Sequence, residues 1–398
     1  MAQKLRLGTV GPCSMRRCFL PIGQGAFYCE SFMLPGADEP FNVVYDCGVI
    51  PENCVAAQLG KIDLSFLGKS KTIHMFFLSH FDCDHYDGVE ILRNSYQVKF
   101  KYFYYPGIDN GDKKLMDYWF KMRGLDGSFF YDLCLNQLPT DSQWADTTFV
   151  PIAPTPPPES PLLRIPDPPV PNEIRLADIV QTLGFFPLPP SNPFFNWVFR
   201  TFNYRDEHLL KMLDAQILAL QMDHQLLTRI WADHTELEKI EEAYEGATKG
   251  DANGYSMPMF SGVAPEKTQA LKQCLTCCQS FRCLLRASLF PFAPGCLYTG
   301  DYNASIAKRW KHLYNFYAAY WDAIGCLQVP HHGSCHSFNP QFLDLKAMFV
   351  ASVGANNSFG HPHQAVQLAF QQKYKQLFCV TEDLNSCLCN TVSLEKSR

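Results

Sequence analysis

The chain has 398 residues, of which 47% are hydrophobic and 18% are charged. This composition supports a sizeable core and excludes a largely disordered protein, and the net charge of -5 argues against binding duplex nucleic acid through overall charge alone. Residues 1–9 carry no secretory signal, and no apolar stretch is long enough to cross a bilayer. We therefore expect a cytoplasmic protein without membrane segments, whose seventeen cysteines are reduced and mostly buried.

The first part of the chain, residues 1–106, is rich in short β-type runs separated by glycine. Residues 41–47 (FNVVYDC) and 72–79 (TIHMFFLS) are predicted strands. The second run is apolar and ends in a polar cluster, which is typical of a strand buried on both faces. His74 lies inside this run and is interpreted as a core histidine.

The middle part, residues 107–281, has a different character. Between Pro151 and Pro193 lie 14 of the 28 prolines, a density that prevents regular helix and central strands. Residues 203–246 then show apolar side chains at helical spacing. We interpret the middle part as an insertion that consists of a proline-rich loop (151–193) and a helical arm (203–246). The arm is a candidate surface for a protein partner.

Two side-chain clusters in this middle part have competing interpretations. Aromatic residues after the prolines are predicted to form a small core that anchors the insertion, although such rings also stack on nucleic-acid bases. Four closely spaced cysteines are predicted to be buried thiols on a helix; the alternative is a structural zinc site, which normally needs two separated pairs. The residues are Phe185, Phe186, Phe194, Phe195, Trp197 and Phe199 in the first cluster, and Cys274, Cys277, Cys278 and Cys283 in the second.

In the last part, residues 282–398, β-type runs return and alternate with helical ones. The predicted strands are 287–290, 295–299, 326–329 and 348–353, and the predicted helices are 302–321 and 363–375. Alternating strands and helices, with polar clusters where strands end, indicate an α/β fold whose active site lies at the strand ends.

The segment most informative about chemistry follows the buried strand of the first part directly. It contains His80, Asp82, Asp84 and His85 within six positions. Two imidazoles and two carboxylates at this spacing can bind one divalent ion, or two ions that share a bridging oxygen. The alternative is a polar loop whose histidines and aspartates cap a helix that begins near Asp87.

This segment resembles the second motif of the metallo-β-lactamase superfamily, His-x-His-x-Asp-His followed by glycine, with Asp82 at the second histidine position. The superfamily's other landmarks occur in order: Asp46 resembles its first-motif aspartate, and Asp301 resembles the aspartate that bridges two metals. His331 and His332 occupy the position of its last metal-binding histidine. The resemblance implies a four-layered αββα sandwich, built from residues 1–106 and 282–398.

The particular variant resembles the metallo-hydrolase domain of the competence DNA-channel protein ComEC and its soluble relatives. The shared features are the His-x-Asp-x-Asp-His form, the segment Pro330 to Ser334 (PHHGS), Gly360 to His363 (GHPH) and the Gly23-Gln24-Gly25 run. This resemblance points to DNA, with single strands favoured, as the substrate.

One departure from the superfamily pattern affects the expected metal. Many members have a further metal-binding histidine before the bridging aspartate, but this chain has none between His85 and His208, and His208 falls in the predicted helical arm. Because Asp82 also replaces a histidine, the site is richer in oxygen, which favours Mn²⁺, with Mg²⁺ and Zn²⁺ as alternatives and one or two ions bound.

The expected reaction is hydrolysis of a phosphodiester by metal-activated water. His80, Asp82, Asp84, His85, Asp301 and one histidine of the 331–332 pair are predicted to hold the metals, and Asp84 is also predicted to orient the water. His361 is a candidate to bind a substrate phosphate or protonate a leaving group, and Ser334 is a candidate phosphate ligand; each has the alternative of a structural turn residue.

Two other functions use the same residues. One is hydrolysis of a small molecule such as a cyclic nucleotide, a lactone or a thioester, because the metal chemistry is shared. The other is a catalytically weak binding module whose helical arm recruits a protein, since the first metal site lacks its usual histidine.

Overall fold

The protein is described by a computed structural model that covers residues 13–50, 54–108, 142–155, 172–204, 209–220, 256–265, 271–277 and 292–394, with scattered residues between 4 and 10, 113 and 139, and 222 and 243. The described strands form two mixed sheets. One sheet has eight strands and the other has seven. The strands are β1 (Ser14–Phe19), β2 (Gln24–Phe32), β3 (Phe41–Ile50), β4 (Thr72–Phe77), β5 (Lys99–Pro106), β6 (Thr148–Ile152), β7 (Glu173–Arg175), β8 (Trp197–Thr201), β9 (Met259–Val263), β10 (Leu271–Cys277), β11 (Gly295–Tyr298), β12 (Ile324–Gln328), β13 (Met348–Ser352), β14 (Leu377–Val380) and β15 (Leu388–Leu394).

The α-helices of the described residues connect or follow these strands. They are α1 (Val55–Gly60), α2 (Cys83–Tyr86), α3 (Gly88–Tyr96), α4 (Phe129–Cys134), α5 (Leu176–Thr182), α6 (Leu209–Ala219), α7 (Ala307–Phe316) and α8 (Gln364–Gln372). Short 3-10 turns lie between several of them, including Pro330–Gly333. The predicted α/β fold is confirmed at this level.

Each sheet combines parallel and antiparallel strands. The first has the order β10-β15-β1-β2-β3-β4-β5-β6, in which β3 to β6 are parallel, and the second has the order β14-β13-β12-β11-β9-β8-β7, in which β11 to β14 are parallel. Because parallel strands carry their carboxyl ends at one edge of a sheet, the loops after β3, β4, β11 and β12 can meet there.

Three buried clusters hold these layers together. Side chains from both sheets pack against each other, among them Tyr45, Met75 and Tyr298. Neighbouring residues on the same strands face the other way: Val44 packs with the helices beside the first sheet, and Leu297 packs with those beside the second. This alternation follows from the period of two in a strand and explains why the parallel strands are apolar throughout.

The middle part differs from its prediction. Residues 107–281 contribute β6 and β10 to the first sheet and β7, β8 and β9 to the second, in addition to loops and α6. Proline does not prevent β6, which lies at the edge of its sheet, where a missing backbone donor is tolerated. Most of the predicted helical arm beyond residue 220, including His224 and His234, lies outside the described residues, as do His208 and the predicted strand 287–290.

Two predictions about cysteine are wrong. Cys274 and Cys277 lie on strand β10, not on a helix. The thiols are also not all reduced, because Cys18 and Cys389 form a disulfide. These two residues are direct partners on the neighbouring strands β1 and β15, with their Cα atoms 4.1 Å apart, so the strand register brings their sulfur atoms together.

A charged pair lies buried between the two sheets. Arg17 and Glu30 of the first sheet are 0% and 2% exposed, and the Arg17 Nε atom lies 2.7 Å from the Glu30 Oε1 atom. Glu30 also accepts hydrogen bonds from the hydroxyls of Ser261 (2.6 Å) and Tyr298 (2.9 Å) on the second sheet. Arg17 donates to the backbone carbonyls of Pro294 and Ser261. The network therefore joins the sheets through polar contacts inside an otherwise apolar layer.

None of the helices in the described part of the chain has the length and apolarity that a bilayer crossing requires.

Candidate metal centre

A β-bulge in β3 sets the orientation of the Asp46 side chain. The pairing of β2 with β3 shifts register at Asp46, which is a β-bulge, and Asp46 adopts a φ of 57°, in the left-handed region. Its fully buried carboxylate accepts the backbone N–H of Ser79 at 2.6 Å and lies 2.8 Å from the Nδ1 atom of His85. A carboxylate on Nδ1 leaves the Nε2 atom of His85 free to face a metal.

The loop from His80 to His85 follows β4, as predicted, and packs tightly on β3. Gly48 allows this approach, because a Cβ atom there would lie 2.4 Å from the Cys83 carbonyl oxygen and 2.6 Å from the His85 nitrogen. The alternative interpretation, in which the aspartates serve as helix caps, is wrong: Asp82 and Asp87 stand at the N-caps of α2 and α3 without a side-chain capping bond.

Asp301 lies in a turn after β11 that other side chains hold in place. Gln328 Oε1 accepts the backbone N–H groups of Thr299 and Gly300 at 2.7 and 2.8 Å, and Ser256 Oγ accepts that of Asp301 at 2.9 Å. Gly300 has a φ of 53°, and a Cβ atom there would lie 2.5 Å from Ser256 Oγ. The turn thus presents the Asp301 carboxylate in one orientation.

His331 and His332 follow β12 in an uncommon backbone conformation. Both have positive φ angles, 48° and 54°, which non-glycine residues adopt rarely and mostly at functional sites. This turns the two rings in different directions. His332 is buried and its Nδ1 atom lies 2.8 Å from the Ser352 carbonyl oxygen, while His331 is half-buried and its Nδ1 atom lies 3.1 Å from Ser337 Oγ.

Four of these side chains form a compact buried group that can hold a metal ion. One ligand atom from each of Asp84, His85, Asp301 and His332 lies within 4.8 Å of the others. The His332 Nε2 atom is 3.0 Å from Asp84 Oδ2, and the His85 Nε2 atom is 3.2 Å from Asp301 Oδ1. Among the described residues, the buried His85 Nε2 atom has no partner aligned for a hydrogen bond, although Asp301 Oδ1 is near it. A buried group of ligand atoms that includes such a ring nitrogen is suited to bind a metal ion.

The other carboxylate oxygen of Asp301 faces a second group of predicted ligands. Asp301 Oδ2 lies 3.4 Å from the Nε2 atom of His331 and 3.9 Å from that of His80. The His80 Nε2 atom is in turn 3.5 Å from Asp82 Oδ2, and within the described structure it too is buried without a hydrogen-bond partner. Of the other six predicted metal ligands, five therefore lie near the Asp301 carboxylate, and the sixth, Asp82, lies beside His80.

Attraction between the aspartates and the histidines of the centre shifts their pKa values. Burial would raise the pKa of Asp84, but His85 and His332 outweigh it and lower that pKa to about 2. The pKa of Asp301 is likewise held well below its usual value, against burial, by the surrounding histidines. Burial would lower the pKa of His85, yet the three aspartates around it raise that pKa. The carboxylates are thus anionic and ready to bind a cation.

A cavity of about 180 Å³ opens onto the centre and collects residues from distant parts of the chain. Its wall includes Asp82, Asp84, Asp301, both histidines of the 331–332 pair, Gln24, Phe359, His361 and Arg123. Arg123 belongs to the middle part, is 42% exposed and places its Nη1 atom 3.4 Å from Asp82 Oδ1. The sequence does not predict this arginine as a site residue, because it lies in the middle part of the chain and outside the motifs that predict the metal ligands.

The two predicted substrate ligands are placed differently. The His361 ring lies in the cavity wall, with Nδ1 3.3 Å from Gln24 Nε2, and burial together with His332 and His331 lowers its pKa to about 4. Ser334 is buried, and its hydroxyl accepts a hydrogen bond from the backbone N–H of His336. This contact fits the alternative interpretation of Ser334 as a structural turn residue. The residues that line the cavity do not include it.

Two further interpretations concern residues away from the centre. His74 is a buried core histidine, as predicted, stacked on Phe41 with ring centroids 4.5 Å apart. Phe194, Trp197 and Phe199 belong to the main core between the sheets, not to a separate small core.

Comparison of the chain with protein-family models, with curated proteins and with solved structures gave no match.

Proposed function

We propose that the chain is a metal-dependent phosphodiesterase with a four-layered metallo-β-lactamase fold. The observation that carries this proposal is the convergence of Asp84, His85, Asp301 and His332 on one buried point, although they lie up to 248 residues apart in the sequence. The superfamily motifs require this convergence. The four residues come from three separate segments of the chain, so no single motif brings them together. The layers of helices, two sheets and helices, with the centre at strand ends, support the same assignment.

The arrangement offers ligands for a second ion beside the first. Asp84, His85, His332 and one oxygen of Asp301 would hold the first ion, and His80, Asp82, His331 and the other oxygen of Asp301 would hold the second. His331 would then supply the imidazole that the chain lacks between His85 and His208. With aspartate at position 82, the second site is rich in oxygen, which favours Mn²⁺.

When bound, divalent ions of this kind lower the pKa of a coordinated water and neutralise charge on a phosphodiester. The chain's own residues supply the rest. Asp46 holds the His85 ring by its Nδ1 atom, and Ser352 does the same for His332 through its carbonyl oxygen. Asp84 orients the attacking water, and Arg123, at the mouth of the cavity, attracts and orients the anionic substrate.

Arg123 also favours a phosphodiester over a neutral lactone or thioester. A guanidinium beside a metal-binding carboxylate matches a negatively charged oxygen of the substrate, and neutral esters have none to offer. The proposed substrate is therefore nucleic acid, with single-stranded DNA favoured, or a nucleotide.

The test uses protein loaded with Mn²⁺ and a panel of single-stranded DNA, duplex DNA, RNA, cyclic dinucleotides and bis(p-nitrophenyl) phosphate. We expect hydrolysis of phosphodiesters, and loss of turnover by at least about a thousandfold in Asp84→Ala with an unchanged circular dichroism spectrum. The matched control is Asp344→Asn, a carboxylate that is 69% exposed and pairs with Lys373. Full activity of Asp84→Ala, or no metal bound by the wild type, would refute the proposal.

A further inference from the structure

A second cavity of about 260 Å³ lies next to the metal cavity and has no role in the chemistry described above. Gln24, Ile50 and Phe359 line both cavities, so the two are adjacent and share part of their wall. Alone each is smaller than a typical small-ligand site of roughly 300–1,000 Å³, whereas together they reach that range. The second cavity is therefore near enough to receive part of a ligand that is bound in the metal cavity.

The side chains of the second cavity are polar without being basic. Its polar members among the described residues are Gln24, Gln58, Asn356, Asn357, Ser358 and Glu382, and the lining contains no lysine or arginine. A phosphate group would require positive charge or a row of backbone N–H donors, and the Glu382 carboxylate would repel it. The cavity is therefore suited to a neutral group that carries hydrogen-bond donors.

One acceptor in this lining is unused. The Oε1 atom of Gln58 is buried and, in the described part of the chain, has no hydrogen-bond partner. An unused buried acceptor costs free energy unless a ligand or water satisfies it. The exocyclic amino groups of cytosine, adenine and guanine are donors that would match this acceptor once the Gln58 side chain rotates toward the cavity. Glu382, whose Oε2 atom already accepts the Ala355 N–H, is a further acceptor.

Phe359 stands at the boundary of the two cavities in a position to stack on a flat ring. It is 53% exposed, an unusual state for a phenylalanine, and it lies beside the His361 ring, with the ring centroids 5.9 Å apart and 22° between the planes. The loop that carries it is held by Asn357, whose amide bonds to the carbonyls of Gly354 and His361 and to the His361 N–H. The ring is thus presented to a ligand by an anchored loop.

We propose that the second cavity is a nucleobase subsite: a base next to the scissile phosphate stacks on Phe359 and presents its amino edge to Gln58 and Glu382. This inference rests on the proposed function and specifies its substrate, because it requires a base attached to the phosphodiester. It explains selection of single strands as well, since a base inside a duplex is already stacked and paired.

The test compares binding and turnover for substrates with and without a base. In an Asp84→Asn background, fluorescence anisotropy measures the affinity for a labelled DNA oligonucleotide and for its abasic counterpart. We expect Phe359→Ala to weaken oligonucleotide binding roughly tenfold, Phe359→Trp to retain it, and the abasic strand to bind with the weakened affinity. Phe186→Ala, which removes a phenylalanine that is 77% exposed and lines neither cavity, is the matched control.

Turnover with Mn²⁺ separates this inference from the proposed function. In Phe359→Ala, kcat/KM for the oligonucleotide is expected to fall at least about fivefold more than kcat/KM for bis(p-nitrophenyl) phosphate, mainly through KM. Equal binding of normal and abasic strands, or equal losses on both substrates, would overturn the subsite while leaving the phosphodiesterase intact. A wild type that hydrolyses neither substrate would overturn the proposed function itself.

Discussion

Removing one partner of the buried pair between the sheets should be far more harmful than removing both. In Glu30→Gln the buried Arg17 guanidinium keeps its charge, because arginine does not lose its proton in proteins, and it loses the carboxylate that pairs with it. Breaking a buried pair in this way costs about 3–5 kcal/mol. The neutral amide also retains only part of the bonding to Ser261 and Tyr298.

The double variant Arg17→Met/Glu30→Leu removes both charges and should recover at least about 2 kcal/mol of that loss. It does not recover everything, because the carbonyls of Pro294 and Ser261 lose their donor. Urea unfolding followed by circular dichroism and by tryptophan fluorescence measures both variants, and coincidence of the two signals checks two-state behaviour.

The exposed pair of Lys373 and Asp344 provides the control, since Asp344→Asn should change the unfolding free energy by less than about 1 kcal/mol. A loss under about 1 kcal/mol in Glu30→Gln would show that water reaches the pair. If the double variant is less stable than Glu30→Gln, the charges themselves are stabilising, and the reasoning from desolvation fails.

Three more predictions concern the centre and one core histidine. Asp46→Asn should weaken Mn²⁺ binding about 10- to 100-fold in calorimetric titration, because the His85 ring loses its carboxylate partner; unaltered affinity would remove Asp46 from the site. Arg123→Ala should raise KM for a phosphodiester roughly tenfold and Arg123→Lys less so, whereas a neutral ester, if turned over at all, should be unaffected. Burial and Lys101 lower the pKa of His74 to about 4, so the unfolded chain takes up a proton first as the pH falls. Stability should be unaffected by this group above about pH 6.5 and decrease by up to about 3 kcal/mol between 6.5 and 4, and His74→Gln should abolish that component of the pH dependence in urea titrations.

The sequence predicts the elements whose pattern is local. The apolar run of β4 ends where a polar cluster begins, and the His80 to His85 segment does lie at that strand end, next to Asp301 and the 331–332 pair. Helix ends are less well predicted: 302–321 contains only Ala307–Phe316 as α-helix, because Asp301 to Ala304 form the turn that carries the ligand.

Features that depend on distant partners could not be predicted. Arg17 follows Arg16 in β1 and Glu30 stands between Cys29 and Ser31 in β2. Polar residues at these positions equally suit an exposed strand face, so only the second sheet reveals their burial. Gln328 looks like a polar strand end, yet it organises the Asp301 turn. The short strands β7, β8 and β9 were missed because their proline- and glycine-containing surroundings dominate the local signal.

The division of the ligands between the two sheets has a consequence for synthesis on the ribosome. A nascent chain that has released His80 to His85 holds only part of the donor set, since Asp301 and His332 emerge more than 200 residues later from strands of the other sheet. If the centre binds an ion as proposed, high affinity for it can arise only once the two sheets have packed together. The appearance of tight metal binding during synthesis would therefore mark the stage at which the two sheets have packed together.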